Sequence, residues 1–358
     1  MTSWSQTSPS PYRTIRYWHG LPSLETLRQR LAPAPLNTGR TIITPHGLVT
    51  DDIEAPYAFL DEQGHIRLAV GQEFSYWLYR GQIRDWPTCT PSLSRLSTQQ
   101  QLLELARTVA FEEVIESHPL VAKFREIQFL NASLFVDPSG IAQHYGLCTD
   151  MLDLTCNFMV ASFFATCEFN SQQGRYRPIK TTAEPGVIFR TSRLHLMSHE
   201  GSKPETIGLQ PFPRPAAQRA FAIRLKQHDD FRIHPHTERF LFRQVNSVSQ
   251  HIYDTFEGGE ALFSLDEAAQ LAEEAKKIRE FTRTQLDRVW LRLEKWLGRT
   301  VHKQDRTATE IKAGIIEAES PFLSWTGKDT NFSEEIINAK LDALLKTVRF
   351  RLTSDHLS

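Results

Sequence analysis

Cysteine is scarce in this chain, four in 358 residues, and no two stand in a Cys-x-x-Cys pair. Structural zinc sites draw two ligands from one short turn. Cys89, Cys148, Cys156 and Cys167 therefore make no such site, and no metal is expected. Long apolar runs are missing too: no window approaches the roughly 18 residues that cross a bilayer. The first twenty residues contain no apolar stretch of signal-peptide length. These absences predict a cytoplasmic protein with no membrane partner. Nor is there an excess of one charge, since 41 Lys and Arg face 42 Asp and Glu, a formal net charge of −1. No global field recruits nucleic acid, although a local basic patch stays open. The chain has no P-loop, no GxGxxG behind a strand, no GxSxG, no HExxH, no internal repeat and no low-complexity tract.

What is present is globular in character. Forty per cent of residues are apolar and 23% charged, enough for one large domain or two ordinary ones. Residues 1–12 are rich in Ser, Thr and Pro and read as a loose tail. A short helix is expected over Ser23–Leu31, with Leu24, Leu27 and Leu31 on one face and Pro33 ending it. Residues 39–50 and 57–70 read as strands, the second folded back at Asp61-Glu62-Gln63-Gly64. An aromatic-rich strand follows at 73–81. Helices are expected at Thr98–Ser117 and from Leu120 to Leu134. Residues 157–169, apolar on every side, fit a buried helix. Residues 185–197 read as a strand, 198–215 as irregular, and 216–225 as a strand or short helix.

The character changes near Gly258-Gly259. Ser264 and Glu267 form a candidate capping box. Behind them one helix-period stripe runs through Ala268, Leu271, Ala275, Ile278, Val289, Leu293 and Trp296 to Gly298. A second helix is expected from Ser333 to about Leu352. The resulting fold class is α+β: a mixed sheet core with a buried helix, plus a mainly helical C-terminal region. Its parts are an N-terminal extension at 1–72, a core domain at 73–258 and a helical region at 259–358 available for a protein partner or self-association.

Two stretches carry most of the chemistry, LYRGQIRDWPTCTPSLSR at 78–95 and IAQHYGLCTDMLDLTCNFMVASFFA at 141–165. Each mixes polar groups with dense apolar residues, and polar groups at a core edge are stable only with partners. Arg80 stands at the end of a strand and precedes Gly81, which lets another backbone or a ligand come close. Its planar fork suits phosphate or carboxylate; the alternative is a structural pairing with a buried acid such as Asp153. Gln143-His144-Tyr145-Gly146 reads as a helix end with Gly146 in the stop position. His144 is a candidate general acid or base, or a hydrogen bonder to a backbone carbonyl. Asp153 lies between leucines, and Thr155 reads as the N-cap of the buried helix. HDDFRIHPH at 228–236 fits no ligand spacing and reads as a solvated loop, and PFPRP at 211–215 as a covering strand rather than a polyproline ligand.

At these two stretches the chain resembles the FRG-domain family, named for its Phe/Tyr-Arg-Gly start. The residues that carry the resemblance are Tyr79-Arg80-Gly81-Gln82, Trp86-Pro87, Thr90-Pro91-Ser92-Leu93 and Arg95. The second block is Gln143-His144-Tyr145-Gly146-Leu147, Thr149, Leu152-Asp153, Thr155, Ala161, Phe164 and Ala165, with a weaker echo at Pro213-Arg214-Pro215 and Gln218. It covers about 73–195 and reaches weakly to 258. Cys148 and Asp150 depart from the family pattern, which has proline and arginine before its leucine-aspartate.

The family occurs mostly in bacteria and phages, and its resemblance to arginine-class ADP-ribosyltransferases implies a phosphate-bearing, nucleotide-like ligand. The same resemblance implies NAD as the expected cofactor, used in ADP-ribosyl transfer or hydrolysis within a bacterial or phage conflict system. On that resemblance Arg80 clamps the pyrophosphate, Tyr79 or Tyr145 stacks on a ring, and His144 and Gln218 serve the reacting group. Gly81, Gln82 and Gln143 complete the ligand contacts, with Arg95, Asp153 and Thr155 in support. Those enzymes also carry a Ser-Thr-Ser strand and a catalytic glutamate that have no clear counterpart here. The alternative is a non-catalytic module for nucleotide or nucleic acid, or an interaction scaffold.

Overall fold

Strand-forming runs of Val, Ile, Phe and Tyr recur at wide intervals in the chain, and their pairing builds one central sheet. The computed structural model describes residues 14–15, 20–32, 41–44, 47–50, 56–70, 77–129, 131–197, 203–325, 333–346 and 348–350. The sheet strands are β1 (Thr14–Ile15), β2 (Trp77–Gln82), β3 (Met151–Thr155), β4 (Gly186–Ser192), β5 (Pro204–Thr206), β6 (Ala220–Arg224) and β7 (Thr237–Phe242), in the order β1-β7-β4-β2-β3-β6-β5. All neighbours are antiparallel except β1 with β7, which makes the sheet mixed. The fold is α+β.

One feature of the register positions the site. β2 pairs with β4 along its whole length, from Trp77↔Ser192 to Gln82↔Val187. With β3 it shares a single pair, Tyr79↔Thr155. Beyond that pair the two central strands diverge, and the ladder bonds that Arg80 and Gly81 would make with Leu154 and Asp153 are missing. A gap in a ladder leaves backbone groups in need of other partners.

The helices are α1 (Leu24–Leu31), α2 (Thr98–Glu116), α3 (Pro119–Glu126), α4 (Pro138–His144), α5 (Phe158–Thr166), α6 (Pro213–Ala217), α7 (Asn246–Thr255), α8 (Glu267–Ala275), α9 (Arg283–Leu297), α10 (Lys303–Lys312) and α11 (Glu334–Leu345). α5 is buried against β2, as its all-round apolarity requires. Its hydroxyls are satisfied inside the helix, Ser162 donating to the Phe158 carbonyl and Thr166 to that of Ser162, both at 2.8 Å. α2 is capped by Ser97 and Gln100 in a reciprocal box and lies at the centre of the largest apolar cluster. That cluster joins Ala58, Ile66 and Leu68 to Ala268, Trp290, Leu293 and Leu341. The residues after Gly259 thus share a core with the hairpin Tyr57–Leu60/Ile66–Ala69 and with α2.

Several expectations need correction. The expected helix from Leu120 to Leu134 ends at Glu126, and a short hairpin of Gln128–Phe129 and Ala132–Ser133 follows. It turns at Asn131, which takes φ 63°. The stripe from Ala268 to Trp296 is two helices separated by Lys276–Thr282, and each has its own cap, Asp266 and Thr282. Asp266, not Ser264, caps the first. The buried helix is capped by Asn157, whose carbonyl side chain accepts from Met159 and Val160, so Thr155 is not its N-cap. The irregular 198–215 stretch yields β5 and the start of α6, where Pro213 occupies the first turn. α10 was not expected. Residues 1–12, Pro33, 73–76 and the end of the last helix near Leu352 lie outside the described residues. Among the described residues no helix is long and apolar enough to cross a membrane.

Candidate functional site

Where β2 and β3 part, a cavity of about 130 Å³ opens, lined from β2 by Tyr79, Arg80 and Gly81 and from β3 by Asp153, Leu154 and Thr155. His144 at the end of α4, Ala161 and Phe164 on α5, and Gln218 behind α6 complete it. The two sequence stretches and the weaker third echo meet here. Of the sequence-chosen residues, Tyr79, Arg80, Gly81, His144, Asp153, Thr155 and Gln218 line the cavity; Gln82, Gln143, Tyr145 and Arg95 do not.

Arg80 fills the break in the ladder. Its Nη1 donates to the Asp153 backbone carbonyl at 2.9 Å, in place of a strand partner. Among the described residues it pairs with no carboxylate, and its Nε is buried with no acceptor. The expected pairing with a buried acid therefore takes a different form, guanidinium to backbone rather than to the Asp153 side chain. Asp153 Oδ2 accepts from Gln143 Nε2 at 3.0 Å, and Gln143 Oε1 in turn accepts from Thr149. Asp153 Oδ1 is buried with no donor. A carboxylate and a guanidinium thus share one small cavity without neutralising each other directly.

His144 and Gln218 face each other, Nδ1 to Oε1 at 2.9 Å, and both are buried. The other end of the amide settles the proton. Gln218 Nε2 donates to the Leu262 carbonyl at 3.1 Å, which can only accept. The Oε1 atom must then face the imidazole, so Nδ1 carries the hydrogen and Nε2 of the neutral ring holds a lone pair. That Nε2 is buried without a partner. Gln218 is itself held through its backbone: its carbonyl accepts from Thr155 Oγ1 at 2.8 Å. The next residue, Arg219, takes φ 49° to turn the chain into β6.

The remaining residues have structural work visible. A Cβ on Gly81 would lie 1.8 Å from the Ala161 carbonyl oxygen, so the room at Gly81 is taken up by α5. The Tyr79 hydroxyl donates to the Leu31 carbonyl at 2.6 Å, and burial pushes it well above the ordinary phenol range. Tyr145 donates to Asp266 Oδ2 at 2.5 Å, and its ring lies under the Arg214 guanidinium, 4.4 Å from the centroid. Stacking on a ligand is closed to that ring. Gln82 Nε2 lies 3.5 Å from the Cys89 sulfur, whose thiol is pushed up by burial and is no ready nucleophile. Arg95 keeps much of its surface in solvent; partial desolvation of its guanidinium, then the charge of Arg80, lower its pKa. Asp150, the charge-reversed position, accepts from Arg224 Nη1 at 2.7 Å, while Glu205 accepts from Arg224 Nε at 2.6 Å. Its charge is thus taken up between β3 and β6 and not in the cavity.

The sequence missed the Leu262 carbonyl, because a backbone acceptor has no residue signature. It also missed the pairing of His144 with Gln218, which lie 74 residues apart.

A family model for the FRG domain matches residues 75–174. The match takes in β2, β3, α4 and α5, hence Arg80, His144 and Asp153, and leaves Gln218 and Leu262 beyond its end. No curated protein and no solved structure matches the chain.

Proposed function

We propose that the FRG domain carried by this chain binds a nucleotide-like ligand at the split between β2 and β3 and cleaves it at a ribose carbon. NAD is the ligand that this chemistry suits. The supporting observation is the set of three unpartnered buried atoms, Arg80 Nε, Asp153 Oδ1 and His144 Nε2, on residues that line one cavity. Buried polar groups are almost always paired, and leaving one unpaired costs about 1–3 kcal/mol. A cationic donor, an anionic acceptor and a neutral acceptor on residues that line one cavity suit a ligand bearing an anion and hydroxyl groups.

Arg80 is the anchor for phosphate, whose oxygens match its remaining N–H donors. Asp153 Oδ1 accepts from a ribose hydroxyl and stabilises the positive charge that grows on the ring as the glycosidic bond breaks. In hydrolysis of NAD, the bond from C1′ to the nicotinamide nitrogen breaks and its electron pair neutralises the pyridinium. Water forms the new C1′–O bond and loses its proton to His144 Nε2. Gln218 holds the imidazole in the tautomer that can take that proton. Asp153 supplies the carboxylate that the sequence did not provide at a glutamate position.

Incubation of the purified chain with NAD, followed by chromatography for nicotinamide and ADP-ribose, tests this reading. Asp153→Asn and His144→Gln should each reduce turnover by at least about tenfold. Release of no nicotinamide, together with no binding of NAD or ADP-ribose, would end it.

A further inference from the structure

The tautomer of His144 depends on where one carbonyl stands. The Gln218 amide has two orientations, related by a half-turn that exchanges its oxygen and nitrogen. In the observed one Oε1 faces His144 Nδ1 at 2.9 Å and Nε2 donates to the Leu262 carbonyl at 3.1 Å. In the reverse one Oε1 would oppose that carbonyl oxygen, acceptor against acceptor, and Nε2 would meet the ring. His144 would then have to carry its hydrogen on Nε2, the nitrogen that must be free to take a proton. The Leu262 carbonyl excludes this arrangement only while it stays in place.

Leu262 is buried, but it lies between Gly259 and α8 in a segment that is neither helix nor strand. The amides of this segment are tied by backbone, Leu262 and Phe263 both donating to the Gly259 carbonyl at 2.9 and 3.0 Å. Its carbonyls are tied by side chains instead. Gln218 holds that of Leu262, and Arg214 Nε donates to that of Ser264 at 3.0 Å. Arg214 and Gln218 stand four residues apart at α6, and the Gln218 amide donates to the Arg214 carbonyl at 3.0 Å. At that spacing the two side chains leave the same face of one turn, which is how both reach one short segment.

The other end of Arg214 returns to the site. Its guanidinium lies 4.4 Å from the centroid of the Tyr145 ring, and Tyr145 follows His144 directly. The Tyr145 hydroxyl donates to Asp266 Oδ2 at 2.5 Å, while Asp266 Oδ1 accepts from the Ala269 amide at 2.9 Å and so anchors the segment to α8. The contacts close a circuit that runs from His144 through Gln218, Leu262, Ser264, Arg214 and Tyr145 back to His144.

We infer that Arg214 is a positioning residue for His144: it fixes the Leu262–Ser264 segment, whose carbonyl selects the Gln218 orientation and through it the ring nitrogen left free to accept a proton. This rests on the role given to His144 above. It concerns the unliganded chain, however, and is read without NAD, so the two can fail separately.

Proton and nitrogen NMR of the His144 ring in the full, unliganded chain tests it. Arg214→Met keeps an apolar stem over Tyr145 and removes the donor to Ser264. The Nδ1–H of His144 should then exchange with solvent roughly 2- to 12-fold faster, the factor for one net hydrogen bond lost from the closed form, and the ring nitrogens should shift towards the Nε2-protonated form. Arg214→Lys, which restores a donor and a cation over the ring, should recover part of the protection. Arg306→Ala, which removes bonds to Glu294 and the Val301 carbonyl at α9 and α10, controls for general loosening and should leave the ring as in the wild type. Unchanged exchange in Arg214→Met, or equal acceleration in Arg306→Ala, would overturn the positioning role and leave the cavity reading standing. A wild-type ring with no hydrogen on Nδ1 would overturn the tautomer and this inference together. Absence of NAD turnover would bear on the ligand reading alone.

Discussion

Gln218 is the residue on which the proposed chemistry of His144 depends, and Gln218→Leu removes its two side-chain bonds with little change in volume. The Nδ1–H of His144 loses its acceptor at 2.9 Å and the Leu262 carbonyl its donor at 3.1 Å. Gln218 and His144 are 5% and 6% exposed, so water does not readily replace either bond. Each buried group left without a partner costs about 1–3 kcal/mol, and two give roughly 2–6 kcal/mol. That is a large share of the ~5–15 kcal/mol typical of native proteins. Urea unfolding measures the loss directly. A merely structural glutamine would give the same number, so a second readout is needed. Nitrogen NMR of the His144 ring, identified by its disappearance in His144→Gln, should show Nδ1 protonated in the wild type. In Gln218→Leu that preference should vanish. A wild-type ring protonated at Nε2, or a stability loss below about 1 kcal/mol, would overturn the assigned tautomer and its support by Gln218.

Gly81→Ala should be among the most damaging small substitutions in the chain, because its methyl would enter the Ala161 carbonyl at 1.8 Å. A loss of at least about 3 kcal/mol in chemical unfolding is expected, and a neutral result would mean that β2 and α5 are not in contact. Arg292→Ala strands the Glu112 carboxylate, which is 1% exposed and bonded to Arg292 and Ser139 at 2.8 and 2.6 Å. Glu112 keeps its bond to Ser139 and the Arg292 side chain is half-exposed, so the expected loss is about 1–3 kcal/mol, readable as a lower unfolding midpoint. His118 is fully buried, and burial pulls its pKa from 6.5 to about 4. Below pH ~6.5 the unfolded chain takes a proton that the folded chain refuses. His118 should therefore remove roughly 3 kcal/mol of stability as pH falls from about 6.5 to about 4. The difference in pH dependence between wild type and His118→Phe isolates this contribution; parallel profiles would contradict it.

Periodicity made some elements legible with little ambiguity. Leu24, Leu27 and Leu31 define α1, the all-apolar run defines α5, and Gly64 at φ 82° turns the hairpin where Asp61-Glu62-Gln63-Gly64 placed it. Elsewhere a stripe gave the right face and the wrong length. Ala268 to Trp296 keeps helix period across a real break, since Ile278 and Phe281 are buried in an extended segment between two helices. The candidate site was located by composition, and Arg80, His144, Asp153 and Gln218 do line one cavity. Their relations were not legible. The split between β2 and β3 depends on register, and the partner of Gln218 is a backbone carbonyl. Neither has a local pattern. Thr155 shows the converse, a residue with the right chemistry for a cap that instead donates to the Gln218 carbonyl.

On the proposed reading, Arg80 is held in the cavity for a ligand and not for the fold. Thermal unfolding of the wild type and Arg80→Ala, with and without millimolar NAD, ADP-ribose and ATP, tests it most directly. A ligand at about 100 times its dissociation constant stabilises by about 2.7 kcal/mol. A raised midpoint with NAD or ADP-ribose is expected in the wild type, with no such rise in the variant. The unliganded variant should melt close to the wild type, because the lost bond to the Asp153 carbonyl is offset by relief of the unpartnered Nε. No rise with any nucleotide, and a variant that melts far below the wild type, would contradict it.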